Sequence, residues 1–184
     1  FKVMPPKIAA IIPAHNEAHT VAAVVVTMRA VTEVDEVIVV DSASTDGTGA
    51  IAQAAGARVV RLDYRGKGEA VRTGIAATTA PIIVMVDADL LGLTVDHIQA
   101  LVRPVSAGAA DMVVGLRDRF GLIGRMVARI DPLLVISGQR CLRREIIEAM
   151  PPELTRNWWL EIGMNAHAKL RKARVQYLNL HGYD

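Results

Sequence analysis

Short apolar runs that each end in a polar or acidic cluster limit the fold of this chain more than any other feature. Residues 7–12 run into Pro13 and a polar stretch over 14–19. Residues 36–40 run into 41–48, residues 57–62 into 63–68, and residues 81–86 into 87–91. Apolar runs of about four to eight residues bounded by turn formers read as buried strands. Between them the period changes: Val21, Val24, Val25 and Met28 follow the i, i+3, i+4, i+7 spacing of one helix face. Residues 50–55, with Asp46 near the start and Gly56 at the end, read as a helix, and so does the stretch from about Glu69 to Ala77. Thr94 is placed to cap a helix reaching about Val102. With a fifth strand at 111–114, the expected class is α/β: a Rossmann-like, mostly parallel sheet with helices on both faces.

Beyond residue 115 the pattern loosens. Residues 122–130 look helical, 133–136 and 138–142 extended, 143–150 helical up to Pro151 and Pro152, 158–172 helical, and 174–180 a last strand. No internal repeat or low-complexity linker interrupts the chain, so a single domain over 1–184 is expected.

Composition narrows the partners. Aromatics are only 4% of 184 residues, so Ala, Val, Ile and Leu must fill the core. A formal charge of +2 is too near balance to argue for nucleic acid or an anionic membrane. Cys141 is the only cysteine, which rules out a disulfide framework and fits a reducing cytoplasm. No apolar run nears the roughly 20 residues that span a bilayer, and no signal peptide opens the chain. The sequence begins at Phe1 rather than Met, which leaves a missing N-terminal segment, or an anchor beyond either end, open.

In open parallel sheets, ligands bind outside the carboxyl ends of the strands. All four polar clusters lie there. In Asp87-Ala88-Asp89 two carboxylates follow a buried strand. At ~4 Å such a pair repels by roughly 1–4 kcal/mol, and a hard divalent cation removes that repulsion. The plainer alternative is a turn in which both aspartates cap backbone amides. Residues 41–48, rich in Ser, Thr and Asp, suit a base or ribose, or a simple capped turn. In Arg65-Gly66-Lys67-Gly68-Glu69 glycines permit close approach to a ligand and Lys67 meets a phosphate or base carbonyl; a flexible loop is the alternative. Glu17 suits ribose hydroxyls, or merely the first turn of a helix.

Together, Ile11-Ile12-Pro13-Ala14-His15-Asn16-Glu17, Val39-Val40-Asp41-Ser42-Ala43-Ser44-Thr45-Asp46-Gly47-Thr48, Gly66-Lys67-Gly68 and Asp87-Ala88-Asp89 resemble, in order and spacing, the nucleotide-diphospho-sugar transferases of the GT-A fold, in particular glycosyltransferase family 2. The Gly-Lys-Gly-Glu loop, Val-Asp-Ala-Asp-Leu and Trp159-Leu160-Glu161-Ile162-Gly163 also look like glucosyl-3-phosphoglycerate synthases and their relatives. The resemblance implies a metal-dependent hexosyltransferase using a nucleotide diphosphate sugar such as UDP-glucose, with Mg2+ or Mn2+ as cofactor. Residues 1–115 become the nucleotide-sugar half and 116–184 the acceptor half. It implies donor contacts from Pro13, Ala14, Asn16, Glu17, Asp41, Ser42, Gly66, Lys67, Asp87, Ala88 and Asp89. Asp41 and Lys67 would face uracil, Glu17 the ribose, Asp87 the ribose and diphosphate, and Asp89 the metal. Such enzymes often add a late histidine as metal ligand; here either His181 serves, or the ligand lies beyond Asp184.

The acceptor half says less. Ser137, Gly138, Arg140 and Trp159 are the acceptor candidates, and Glu161 the acidic group placed to act as base if the product is inverted. Arg117, Arg119, Arg125, Arg129, Arg143 and Arg144 suit either a phosphorylated acceptor or a solvated basic face. Trp158 is equally at home in a core. The acceptor is expected to be a phosphorylated small molecule such as phosphoglycerate, or a lipid such as polyprenyl phosphate; only the lipid would bring the protein, peripherally, to a membrane. A homodimer is compatible with this reading. His15, His19, His97 and His167 lack ligand spacing and read as surface or packing residues. A dehydrogenase reading rests on Gly47-Thr48-Gly49-Ala50-Ile51-Ala52, but six residues separate it from its strand and Asp87-Ala88-Asp89 is left without a role. A sugar nucleotidyltransferase would need a glycine-rich loop after the first strand, and this chain has none there. A non-catalytic nucleotide-sugar-binding module differs from the enzyme only in turnover.

Overall fold

The computed structural model describes residues 6–117, 137–155 and 159–182, without the side chains of 117, 152 and 155. The strands are β1 (Ile8–Ala14), β2 (Glu36–Ser42), β3 (Arg58–Leu62), β4 (Ile82–Met85), β5 (Met112–Arg117), β6 (Arg140–Arg143) and β7 (Val175–Leu180). The helices are α1 (Val21–Ala30), α2 (Thr48–Ala54), α3 (Lys67–Ala76), α4 (Val95–Ser106), α5 (Arg144–Glu148) and α6 (Trp159–Leu170). Among the described residues the strands form one sheet in the order β3-β2-β1-β4-β6-β5-β7. Its pairs are parallel except that β6 runs antiparallel to both β4 and β5. The expected helices and strands are present where described; the proposed elements at 122–130 and 133–136, with Arg119, Arg125, Arg129 and Trp158, fall outside the described residues.

Side chains alternate across a strand, so a strand buried on both faces reads as a continuous apolar run. In β1, Ala10 and Ile12 join the core under α1 and α4, whereas Ala9 and Ile11 join the core under α3, α5 and α6. Helix α1 buries Val21, Val24, Val25 and Met28, the stripe the spacing predicts.

Two boundaries differ from expectation and matter for the site. Strand β1 continues through Pro13 to Ala14 instead of stopping before the proline. Its ladder with β4 has ended at Ile11 opposite Met85, so Pro13, with no N–H to give, follows where pairing goes on only with β2. Helix α3 starts at Lys67, two residues before the expected Glu69, so Lys67 is a helical residue rather than a loop one. A Cβ on Gly74 would lie 2.6 Å from Ile11 Cγ2; that bare backbone lets α3 lie close on the sheet and fixes where its first turn falls.

Candidate functional site

Asn16 turns the chain leaving β1 with φ 56°, a left-handed conformation that asparagine tolerates. This turn is stitched to the loop after β2. The Asn16 amide donates to Ser44 Oγ at 3.0 Å, the Thr45 amide to Asn16 Oδ1 at 2.9 Å, and the Glu17 amide to Thr48 Oγ1 at 2.8 Å. His15 Nδ1 lies 2.6 Å from the Ser42 carbonyl. Asp46 accepts from the Thr48 and Ala18 amides. Much of the hydroxyl and carboxylate content of 41–48 therefore fixes the adjoining loop.

Asp41 is almost fully buried. Its carboxylate accepts from the Ser44 amide at 3.0 Å and from Arg61 Nη1 at 3.3 Å, and Arg61 is its register partner on β3. A Cβ on Gly49 would sit 2.6 Å from Asp41 Oδ2, so this carboxylate is enclosed by backbone. The resemblance places Asp41 and Lys67 together on a base. In the structure Arg61 pairs with Asp41, and the ion partners of Lys67 are Asp87 and Glu161.

In the loop after β4, Ala88 and Leu90 are buried, Asp87 is half-buried and Asp89 exposed. The two apolar residues anchor the turn and leave the aspartates on its open side. Lys67 Nζ lies 2.7 Å from Asp87 Oδ1 and 3.0 Å from Glu161 Oε1. Gln139 Nε2 donates to Asp87 Oδ2 at 2.9 Å. A Cβ on Gly138 would fall 2.3 Å from Asp87 Oδ2, so the chain at 138 packs bare backbone against the carboxylate. Burial disfavours the Lys67 ammonium, but the charges of Asp87 and Glu161 outweigh it and hold its pKa above the ordinary lysine value.

Glu161 is 1% exposed, and its Oε2 is buried without a hydrogen-bond partner. Such an oxygen is costly unless something meets it. Beneath it, Arg140 is fully buried. Its guanidinium donates to the Ser137 carbonyl through Nε at 3.0 Å and Nη2 at 2.6 Å, and to Asn165 Oδ1 at 3.2 Å. Burial pulls its pKa down to about 10, against the opposing pull of Glu161, Tyr177 and Asp87. Arg140 thus departs from the expectation of an acceptor-facing arginine. It is the clamp that holds the chain at 137, and through it Gly138 and Gln139, against Asp87.

The neighbouring arginines are structural as well. Arg143 pairs with Asp111 at 3.3 Å, and Arg144 donates to the carbonyls of Ile75, Thr78 and Ala80, closing the end of α3. Trp159 is 59% exposed in the first turn of α6, two residues before Glu161. Ser137 is buried and donates to the Gly115 carbonyl.

Asp89 is an exposed carboxylate, the hard oxygen donor that a divalent cation takes. Burial first, and then the negative charge of Asp89, raise the pKa of Glu17. Among the described residues no group of three or more His, Cys, Asp or Glu side chains converges to hold a metal. A cation held by Asp89 would therefore complete its shell from elsewhere, as magnesium does with substrate phosphates and water. His181 follows directly on β7, and its carbonyl lies 2.8 Å from His97 Nε2, in the first turn of the helix that follows the aspartate loop. Sequence reasoning read His97 as a surface or packing residue, included Thr48 in the 41–48 cluster suited to a base or ribose, and passed over Gln139 and Arg61. For Arg61 a signal existed: parallel pairing of β2 with β3 sets a basic residue against Asp41.

A family model described as Glycosyl transferase family 2 matches residues 9–151. The glucosyl-3-phosphoglycerate synthase of Mycobacterium tuberculosis is 30% identical over 195 residues, covering 85% of this chain and 59% of that protein. The Haloferax volcanii protein named Glycosyltransferase AglJ is 33% identical over 162 residues, covering 77% of this chain and 52% of its own length. The chain thus spans about three fifths or less of these relatives. A crystal structure of the M. tuberculosis synthase with Mn2+, UDP-glucose and phosphoglyceric acid superposes with a TM-score of 0.82 at 30% identity, covering 97% of this chain and 71% of that one. Another, with Mg2+ and UDP, gives a TM-score of 0.82 at 29% identity. The expected GT-A fold is the fold of this chain.

Proposed function

The chain belongs to glycosyl transferase family 2, and on that premise we propose that it moves a hexose from a nucleotide diphosphate sugar, UDP-glucose or one like it, to the hydroxyl of a phosphorylated acceptor. The observation that carries this reading is the junction at Lys67, one cation bridging a donor-side carboxylate, Asp87, and an acceptor-side one, Glu161. The solved M. tuberculosis relatives hold UDP-glucose and phosphoglyceric acid in the same overall architecture, which supports both substrate classes.

On this reading Asp87 and Glu17 accept hydrogen bonds from ribose hydroxyls. Lys67, on the first turn of α3, is the cation able to exchange its carboxylates for a diphosphate oxygen. Asp89 would hold a Mg2+ or Mn2+ ion, which when bound neutralises the departing nucleoside diphosphate as a Lewis acid. The acceptor oxygen attacks the anomeric carbon as the bond to the diphosphate breaks. Glu161 Oε2, buried and without a partner, is the oxygen to which an acceptor hydroxyl can donate. If configuration inverts, Glu161 takes that proton as base; if it is retained, Glu161 only orients the hydroxyl. Trp159, exposed beside it, offers a ring face to the acceptor.

The test is a screen of UDP- and GDP-sugars against phosphoglycerate and polyprenyl phosphate with Mn2+, using the full-length protein and reading the anomeric product by NMR. Transfer from a UDP-hexose to a phosphorylated acceptor is expected. Absence of transfer from every donor, with nucleotide still bound, would leave the non-catalytic module as the reading.

A further inference from the structure

Contacts at both ring nitrogens fix the orientation of His97. The Thr94 amide donates to its Nδ1 at 3.2 Å, so Nδ1 carries a lone pair. Nε2 must then hold the proton, and it lies 2.8 Å from the carbonyl oxygen of His181, 84 residues away. The same residue supplies the reciprocal half of the α4 capping box, its own amide donating to Thr94 Oγ1 at 3.3 Å. One imidazole thus joins the start of α4 to the end of β7.

The chain around His181 is held from other directions as well. Leu180 is buried, and a Cβ on Gly115 would lie 2.6 Å from its Cδ1, so the last residue of β7 is wedged against bare backbone on β5. Gly182 has φ +84°, a left-handed turn directly after His181. Thr94 is five positions after Asp89, and Leu90 is buried between them. The tie from His97 therefore sets the backbone of His181 relative to the loop that carries Asp87 and Asp89.

We propose that His97 is a positioning residue for the cation site: by holding the His181 carbonyl it sets the backbone from which His181 joins Asp89 on the metal. The proposal rests on the reading of Asp89 and His181 as metal ligands. Nothing in the sequence singled out His97, because the contact depends on an 84-residue separation closing in space.

The experiment measures Mn2+ affinity by calorimetry in the presence of saturating UDP, for the full-length protein and for His97→Ala, His97→Gln and His181→Ala. Thermal unfolding is followed in parallel. His181→Ala should weaken Mn2+ by more than tenfold. Outer partners that orient metal ligands commonly change affinity by about 10–100-fold, so His97→Ala should weaken Mn2+ roughly tenfold while UDP affinity without metal stays within twofold. His97→Gln, which keeps a donor for the carbonyl, should recover part of the loss. If His181→Ala weakens Mn2+ but His97→Ala leaves it unchanged, the positioning role is overturned and the metal reading stands. If His181→Ala changes nothing, both fall together. If UDP binding without metal drops as much as Mn2+ binding in His97→Ala, the contact is merely structural and the proposal is again overturned.

Discussion

Replacing Gly138 with alanine isolates the contact that holds Asp87 in place. The added Cβ would lie 2.3 Å from Oδ2, 2.4 Å from Oδ1 and 2.6 Å from Cγ of Asp87. Ordinary contact begins near 3.4 Å, so the carboxylate must retreat by about 1 Å, the difference between roughly 3.4 and 2.3 Å. Retreat on that scale pulls Asp87 off Lys67, now 2.7 Å away, and off Gln139, now 2.9 Å away. A misplacement of about 1 Å in a positioned group costs on the order of 10²-fold in rate, or about 2.7 kcal/mol of barrier. Gly138 is not held in a left-handed backbone conformation, so alanine brings no strain of its own. The expected result is a protein that unfolds within a few degrees of the parent but turns over roughly a hundredfold more slowly. Steady-state transfer kinetics alongside a thermal melt give both numbers. Activity within twofold of the parent would refute the claim that Asp87 must sit where the 138 backbone puts it.

Two further outcomes follow from the charge arrangement. Arg140→Ala removes the guanidinium that donates to the Ser137 carbonyl and Asn165 Oδ1, while Lys67 still pairs with Glu161; it should destabilise the fold by about 1–3 kcal/mol in urea titrations, rather than weaken an acceptor selectively. Asp111 is held at about 2 by hydrogen bonds from Arg174, with Arg143 adding its charge. Because the folded pKa lies below the unfolded one, this stabilisation is complete above about pH 4 and is lost as pH falls through about 2. Allowing for screening by water near the exposed Arg174, Asp111→Asn should remove about 1 kcal/mol at pH 7 and flatten the acid limb of the stability curve.

The fold was legible because β1, β2 and β4 are buried on both faces, so each appears as a nearly unbroken apolar run, and because helix α1 repeats its valines at helical spacing. The four loops were legible because every one follows such a run directly. Strand β6 was seen only as an extended stretch: its antiparallel insertion between β4 and β5 depends on pairing with residues far away in sequence. Arg140 was misplaced for a related reason. An arginine after Ser-Gly looks like a phosphate ligand until the sheet buries it at the start of β6, a strand held between β4 and β5. Gln139 and His97 carried no signal, since each matters only through one partner that folding brings near. Lys67 read as a loop residue because glycines on either side masked the start of α3.

Calorimetry of UDP with and without Mn2+ tests most directly whether the Asp87-Ala88-Asp89 loop holds a metal–diphosphate pair. The parent should bind UDP at least tenfold more tightly with Mn2+ present, and Asp89→Ala should bind UDP equally with and without it while remaining folded. UDP affinity that ignores Mn2+ in the parent, or a metal enhancement that survives in Asp89→Ala, would contradict the assignment.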